Sequence, residues 1–281
     1  PWEGRVSKNC TIVRDGGRYL LYYRAWGVQG IPKLGSTCVA ESGDGIEWIR
    51  PELGLHELDG SSRNNIILTN SPAAMGFVPF RDTNPNAAPA EKFKALTSTK
   101  YGPDTKGLTA YKSADGIRWE RLRQEPVLRN DSEHSALAFD SQNVSFWSEV
   151  EAQYVAYFRT WSKLNDPGPH TEADAKHGLR RISRAVSADY RHWRPSTLMR
   201  YLTHGVPSPE EHLYVNQTQP YFRAPHIYVA FPARFMPGRQ AITDADAERL
   251  GLHEAQVNAC SEPCFMTTRP GRDYYDRTFM T

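Results

Sequence analysis

Several features that would assign this chain to a class are scarce. The 281 residues include no run of the roughly 18 apolar residues that a membrane-spanning helix needs. The 34 basic and 32 acidic residues give a net charge of +2, without the basic excess that nucleic-acid binding requires. Four cysteines are too few for a disulfide framework, and they lack the paired CxxC spacing of a zinc site. We therefore expect no membrane span, no nucleic-acid partner and no zinc bound by these cysteines.

The sequence also lacks the periodicity of amphipathic helices and an initiator methionine or signal-like segment at its beginning. No long segment has apolar residues at the 3.6-residue period of an amphipathic helix, and 20 glycines and 20 prolines interrupt the chain throughout. The chain opens on PWEG, without an initiator methionine or a signal-like apolar segment, so we expect further sequence on both sides of it. Its length allows one large domain or two small ones.

What the sequence does contain is a repeated motif. SGDGIEW (42–48) recurs as SADGIRW (113–119), as SADYRHW (187–193) and, degraded, as TRPGRDY (268–274). The terminal aromatic residues are spaced by 71, 74 and 81 residues, a period that suits a four-stranded sheet with its loops. A strand rich in Tyr, Val and Phe precedes each copy. We predict a single all-β domain over residues 1–281, a five-bladed β-propeller in which four repeats are visible and the fifth blade is incomplete or closed by the termini.

The motif itself predicts a turn. Asp and Gly in S-x-D-G-I-x-W are typical of a tight hairpin, in which Gly adopts a positive φ and Asp accepts backbone N–H groups beyond it. The Ile and Trp that follow would insert between neighbouring sheets. Asp44, Asp115 and Asp189 are therefore expected to be structural rather than catalytic.

Longer segments of the chain resemble a known group of enzymes. PWEG at Pro1, PELGL at Pro51, NNI at Asn64 and FDSQNVSFW at Phe139, together with the repeats, are similar to an uncharacterised bacterial branch of the five-bladed propeller glycoside hydrolases. That superfamily includes invertases, levanases, arabinanases and xylosidases. The resemblance covers essentially the whole chain and implies a glycosidase with a carbohydrate substrate. It also favours a secreted or periplasmic location.

The resemblance implies a set of funnel carboxylates that act as proton donor and as nucleophile or base. Asp140 in FDSQNVSFW and Asp82 in FRDTNP both look like the family's RDP segment, although neither is followed by proline. Glu3 stands where the family has its first-blade Asp. Glu211 is the candidate proton donor, with Glu210 as its rival. In each repeat an acid lies at a similar distance in sequence before the matched strand, which predicts one acid per repeat at nearly the same level of the funnel. The alternative for Asp82 and Asp140 is a turn residue beside a strand.

Five further residues are candidates for substrate binding. Arg24 and Arg159 end the matching segments YYR and YFR, and each could bind a carboxylate, a sulfate or a sugar hydroxyl, or form a salt bridge between blades. Trp26 and Trp161 follow two residues later and could stack on a sugar ring or be buried between blades. His212, beside Glu211, could line the funnel.

Two functions follow from these observations. The first is a glycoside hydrolase-like enzyme that cleaves a glycosidic bond in an oligo- or polysaccharide. The second is a non-catalytic propeller that binds a glycan or a protein, since a fold by itself does not define a reaction. We predict no cofactor, but calcium or another structural ion would find hard oxygen ligands in Asp82, Asp140 and Asn143.

Overall fold

The computed structural model describes residues 3, 5–6, 9–26, 35–69, 72–98, 107–129, 138–140, 142–162, 178–252 and 257–278. Almost all regular structure in these residues is β-strand. One α-helix is present in the described part, α1 (Asp244–Leu250), which Thr243 caps at its N-terminus and Gly251 ends in the left-handed conformation. None of the described helices has the length and apolar character needed to cross a bilayer.

The first two sheets each follow one repeat of the sequence. Sheet 1 contains β1 (Arg5–Val6), β2 (Thr11–Asp15), β3 (Arg18–Trp26), β4 (Ser36–Ser42) and β5 (Ile66–Thr69). Sheet 2 contains β6 (Val78–Arg81), β7 (Phe93–Ser98), β8 (Gly107–Ser113), β9 (Glu120–Arg121) and β10 (Leu128–Arg129), with 3₁₀ turns at Pro72–Met75 and Pro89–Glu91. All pairings in both sheets are antiparallel, and β1 and β2 both pair with β3 as two parts of one first strand.

The third repeat forms sheet 3, and the fourth is divided between two sheets. Sheet 3 contains β11 (Val144–Ser148), β12 (Gln153–Ser162), β13 (Leu179–Ser187) and β14 (Thr197–Leu198). Sheet 4 contains β15 (Arg200–Thr203), β16 (Val206–Pro207), β18 (Gln219–Tyr221), β19 (Ala224–Ala230), β22 (Met266–Thr268) and β23 (Tyr274–Asp276). Sheet 5 contains β17 (His212–Tyr214), β20 (Ala233–Pro237) and β21 (Ala259–Pro263). The chain crosses four times between sheets 4 and 5, at β16–β17, β17–β18, β19–β20 and β21–β22, so the two are halves of one layer.

Successive sheets pack face to face. Tyr22 of sheet 1 packs with Phe77 and Phe93 at sheet 2, and Phe158 of sheet 3 packs in a cluster with Leu96 of sheet 2. On the other side of sheet 3, Tyr157 shares a cluster with the tyrosines of sheet 4. Because central strands are covered on both faces, their residues are buried almost continuously instead of alternating with exposed ones, as β7 illustrates.

The first strands of the layers converge. The Gln142 amide donates to the carbonyl oxygen of Cys10 in sheet 1, at 3.3 Å, and accepts a hydrogen bond from Gln217, at 2.8 Å. Gln142 precedes the first strand of sheet 3, and Gln217 lies between β17 and β18. Three layers that are not all neighbours therefore meet around this one side chain, which is the arrangement expected near the axis of a propeller.

The repeated motif forms the predicted turn in three places. In the second copy the Asp115 carboxylate accepts the N–H groups of Ile117 and Arg118, both at 2.8 Å, and Gly116 has a φ of 77°. A Cβ at Gly116 would approach the Tyr22 hydroxyl oxygen to 2.7 Å, so this turn requires glycine for space as well as for conformation. In the third copy Tyr190 occupies the glycine position with a φ of 64° and is fully buried.

The isoleucine of the motif does not insert between sheets in every copy. Ile117 is 7% exposed and packs in the cluster between sheets 1 and 2, whereas Ile46, its equivalent in the first copy, is 78% exposed. The expectation of an inserted isoleucine therefore holds for the second copy and not for the first. Ile117 has a sheet on either side of it, and Ile46 does not.

This difference predicts opposite outcomes for one substitution in the two copies. Ile117→Ala should lower the free energy of unfolding by about 2 to 4 kcal/mol, because it leaves a cavity between two sheets. Ile46→Ala should change it by less than about 0.5 kcal/mol. Urea denaturation followed by tryptophan fluorescence measures both values. Equal effects for the two variants would contradict the packing described here.

The turn carboxylates predict a dependence of stability on pH. Burial alone would raise the pKa of Asp115, but hydrogen bonds from the Arg118 and Ile117 N–H groups and the Ser113 hydroxyl outweigh it and lower the pKa. A lowered pKa in the folded state stabilises the fold above the unfolded pKa of about 4, and this contribution is lost as pH falls through the folded value. Asp115→Asn should therefore weaken the loss of stability between about pH 5 and pH 2. Denaturation curves of both proteins across this range test it, and parallel pH profiles would count against it.

Candidate functional site

Asp140 lies just before β11, in a segment that is held against β12. The Phe139 N–H donates to the Arg159 carbonyl oxygen at 2.9 Å, and the side chain of Asn143 bonds both the Phe139 carbonyl oxygen and the Arg159 N–H, each at 3.0 Å. Phe139 is buried against Phe158 with a φ of 60°, an uncommon conformation for a residue with a side chain. These contacts fix the backbone at Asp140. They also engage the Asn143 side chain with backbone groups, so the expectation that it serves as an ion ligand is not supported.

The Asp140 carboxylate is paired with a buried arginine. Its Oδ2 lies 3.1 Å from Nη2 of Arg159, and the Asp140 side chain is 35% exposed whereas that of Arg159 is 4% exposed. Asp140 is thus a partly accessible acid, and the buried guanidinium of Arg159 fixes the orientation of its carboxylate. The sequence predicted both residues as site members, and the structure brings them into contact.

A layer of arginines and aromatic rings continues from this pair. The Arg159 guanidinium lies 4.7 Å from the ring centroid of Tyr214 and 5.5 Å from that of Trp161. The Arg180 guanidinium lies 4.6 Å from Trp161 and 4.7 Å from Phe235. Cations placed over aromatic faces at these distances are attracted by the ring quadrupole. Sheet 3 thus meets sheet 5 through what we call the arginine–aromatic layer, made of these five residues.

His212 belongs to the edge of this layer. Its Nδ1 accepts the backbone N–H of Arg180 at 3.1 Å, which assigns a ring proton to Nε2, and the side chain is buried. The ring also contacts Trp161 and Phe235 edge-on. The expectation that His212 lines an open funnel is therefore replaced by a supporting role between two rings. Arg180, Tyr214 and Phe235 were not predicted from the sequence, because nothing in their local pattern indicates which rings a folded sheet places beside them.

Glu210 and Glu211 directly precede His212 in the chain, and the carboxylates of both form ion pairs with arginines. Glu211 contacts Arg234 at 2.6 Å through Oε1 and Arg277 through Oε2. Glu210 contacts Arg181 at 2.5 Å through Oε1. Both oxygens of Glu211 already accept hydrogen bonds from charged donors, an arrangement that suits a structural ion pair better than a proton donor.

Asp82 lies elsewhere. Its side chain is completely buried, 2.5 Å from the Lys94 ammonium and 2.7 Å from the Tyr154 hydroxyl, and Lys94 also pairs with Glu91. The hydrogen bond to Asp82 and above all burial raise the pKa of Tyr154. Tyr154 is next to the turn between β11 and β12, at the opposite end of β11 from Asp140. The predicted common height of the two acids is thus corrected: Asp82 joins sheets 2 and 3 at the far end.

Glu3 is bound to sheet 1 by several donors. The Tyr23 hydroxyl donates to Oε1, Arg50 lies 2.6 Å from Oε2, and Asn65 bonds both the Tyr23 oxygen, at 2.7 Å, and Glu3, at 3.3 Å. Burial, followed by this hydrogen bond, raises the pKa of Tyr23. The network accounts for Asn65 in NNI as a buried structural residue. The network fixes Glu3 on the Tyr23 face of sheet 1. This face points away from sheet 2.

Arg24 and Trp26 are not part of the Asp140 site as described. Arg24 occupies the place in β3 that Arg159 has in β12, and it is partly buried in sheet 1. The side chain of Trp26 lies outside the described residues. Among the residues that the structure describes, no three His, Cys, Asp or Glu side chains form a group that could hold a metal ion.

The fold is that of propeller glycoside hydrolases. An α-L-arabinofuranosidase from Clostridium thermocellum matches 97% of this chain over 72% of its own, with a TM-score of 0.55 at 10% identity. A family GH32 β-fructofuranosidase from Bombyx mori matches 96% of this chain over 46% of its own, with a TM-score of 0.52 at 12% identity. No protein-family model and no curated protein sequence matches the chain.

The same fold also occurs in proteins with another activity. An N-acetylgalactosamine deacetylase from F. plautii, in complex with blood group B trisaccharide, matches 93% of this chain over 72% of its own, with a TM-score of 0.56 at 10% identity. At such identities the likeness shows the fold and leaves the reaction open.

The buried environment of Asp82 predicts a structural role. Asp82→Asn should lower the free energy of unfolding by about 3 kcal/mol, because it leaves the Lys94 ammonium buried without its nearest carboxylate. Asp273→Asn, which removes an exposed partner of Arg200, should cost less than about 1 kcal/mol. Urea denaturation compares the two, and an Asp82 variant as stable as the wild-type protein would contradict this assignment.

Proposed function

We propose that this chain is a glycoside hydrolase-like enzyme that cleaves a glycosidic bond in an oligo- or polysaccharide, with Asp140 as one of its catalytic carboxylates. The observation that carries the proposal is the Asp140–Arg159 pair. A partly exposed carboxylate, fixed by a 4%-exposed arginine, stands beside aromatic rings at the start of a first strand. Carboxylates oriented in this way, together with rings that can stack on sugars, are what glycoside hydrolysis requires.

The second carboxylate of the proposal is Glu210 or Glu211. Both belong to the segment that leads into β17, whose Tyr214 stacks on Arg159, so they lie on the same side of the molecule as Asp140. Glu211 is held by two arginines and Glu210 by Arg181. Hydrolysis needs one group to protonate the leaving oxygen and another to act as nucleophile or base, so one of these glutamates must exchange its arginine for substrate.

A fifth blade is part of the same proposal. At one end of the series, Ile12 is 60% exposed on the face of sheet 1 opposite to Val13, which packs toward sheet 2. At the other end, Phe231 is 51% exposed and lies against Phe265 with the two rings tilted by 48°. Apolar side chains at both ends of the series support a further layer that covers them and closes the ring.

A non-catalytic glycan-binding protein is the second candidate. The observation that favours it is that every candidate acid has its carboxylate engaged by a Lys or Arg: Glu3, Asp82, Asp140, Glu210 and Glu211. A protein that only binds a glycan needs rings and donors but no pair of available carboxylates.

Substitution of the acids distinguishes the two functions. Asp140→Asn should reduce kcat on a cleaved glycoside by about 100- to 10,000-fold, because the amide keeps the shape but cannot act as acid, base or nucleophile. Glu210→Gln and Glu211→Gln identify the second carboxylate by which of them causes a comparable loss. The measurement is hydrolysis of a panel of aryl glycosides and plant or algal oligosaccharides.

Glu52→Gln is the matched control, because Glu52 forms an exposed pair with Arg63 in the connection between β4 and β5 and should keep full activity. Undiminished hydrolysis by the Asp140 variant would reject the proposed site. Glycan binding without hydrolysis by the wild-type protein would favour the binding function.

A further inference from the structure

The arginine–aromatic layer contains buried hydrogen-bond donors of Arg159 and Trp161 that have no partner among the described residues. Nη2 of Arg159 is engaged by Asp140, whereas its Nε and Nη1 are buried and have no hydrogen-bond partner among the described residues. Nε1 of Trp161 is in the same condition, and Trp161 is in ring contact with Arg159. Buried donors nearly always have a partner in native proteins, because leaving them unpaired sacrifices their hydration without replacement.

The layer can be reached from the surface. Trp161, Arg180 and Tyr214 are partly exposed, as is the Asp140 carboxylate next to them. A bound group that approached Asp140 would therefore meet the partly exposed side chains of Trp161, Arg180 and Tyr214 before it reached the buried guanidinium of Arg159.

The chemistry of the donors indicates the chemistry of this group. Guanidinium groups form their strongest hydrogen bonds with anionic oxygens, and planar, weakly hydrated cations are the usual partners of carboxylates and sulfates. A neutral hydroxyl would accept one hydrogen bond but would bring no negative charge to the Arg159 guanidinium. Stacking on Trp161 and Tyr214 fits a sugar ring that carries the anion.

We propose that the substrate is an acidic glycan, whose carboxylate or sulfate group binds at the arginine–aromatic layer through Arg159 and Trp161, beside Asp140. This proposal rests on the proposed function insofar as Asp140 marks the glycan site. It goes further because it names the charge of the sugar next to that site. Arg159 then has two roles: it orients Asp140 and it binds the substrate anion.

Matched glycan pairs test this proposal. Oligogalacturonides are compared with their methyl esters, and sulfated galactan oligosaccharides with their desulfated forms, by titration calorimetry on the whole chain. The wild-type protein should bind one acidic member at least about tenfold more tightly than its neutral partner, since charge-assisted bonds are lost in the neutral form. The uronate arm and the sulfate arm show which anion is recognised.

Variants show whether the preference originates in the layer. Arg159→Gln should reduce the acidic-over-neutral ratio to about threefold or less, and Trp161→Phe, which removes only the N–H and part of the ring, should reduce it partly. Arg63→Gln removes an exposed arginine between β4 and β5 and should leave the ratio unchanged. If Arg159→Gln does not fold, the ester and desulfated arms on the wild-type protein decide.

The outcomes separate this proposal from the proposed function. Equal binding of acidic and neutral glycans, or an unchanged ratio in a folded Arg159→Gln protein, overturns the acidic-glycan proposal even where hydrolysis is found. Preferential binding of the acidic member without hydrolysis supports it while rejecting the enzyme. Absence of binding to every glycan pair overturns the acidic-glycan proposal, and the hydrolysis panel then decides the proposed function separately.

Discussion

Face-to-face packing of twisted sheets is the constraint on which the rest of the structure depends. No single four-stranded sheet can cover both of its faces, and each one here uses its neighbours to do so. Large tyrosines carry out much of this packing: Tyr22 fills the space between sheets 1 and 2, and Tyr157 fills the space between sheets 3 and 4. Because both faces of the central strands are covered, a partly exposed acid such as Asp140 is confined to the segment before a strand.

The Asp140 site follows from this confinement. Along β12, Val155 and Tyr157 lie in the cluster with sheet 4, and two and four residues further on the same face of the strand presents Arg159 and Trp161. The apolar interface between layers thus becomes a cationic and aromatic one at the strand end. Asp140 is held over that end by the Asn143 hydrogen bonds, so its position depends on β11 and β12 together.

Asp82 and Asp140 look alike in sequence but have different environments, because they lie at opposite ends of a first strand. Asp82 and Asp140 both lie within two residues after a phenylalanine beside a first strand, but Asp82 comes after its strand and Asp140 before it. The two ends of a first strand face opposite sides of the molecule. Asp82 is therefore sealed between sheets with Lys94, whereas Asp140 keeps a third of its side chain exposed over Arg159.

The sequence by itself determined the repeat, the turn and the class of fold. The motif specifies its hairpin locally, because Asp115 and Gly116 act on N–H groups within three residues, and the period of the copies reflects one sheet each. Asp140, Arg159 and Trp161 were predicted from the sequence as candidate site residues, because they occupy matching positions in or before similar strands. What only the tertiary structure decided is which side chains meet across sheets: Arg180, Tyr214 and Phe235 in the layer, and the arginines that bind Glu210 and Glu211. Such contacts join residues that are far apart in the chain, and their choice depends on how the sheets are stacked and twisted against each other, which no local pattern encodes.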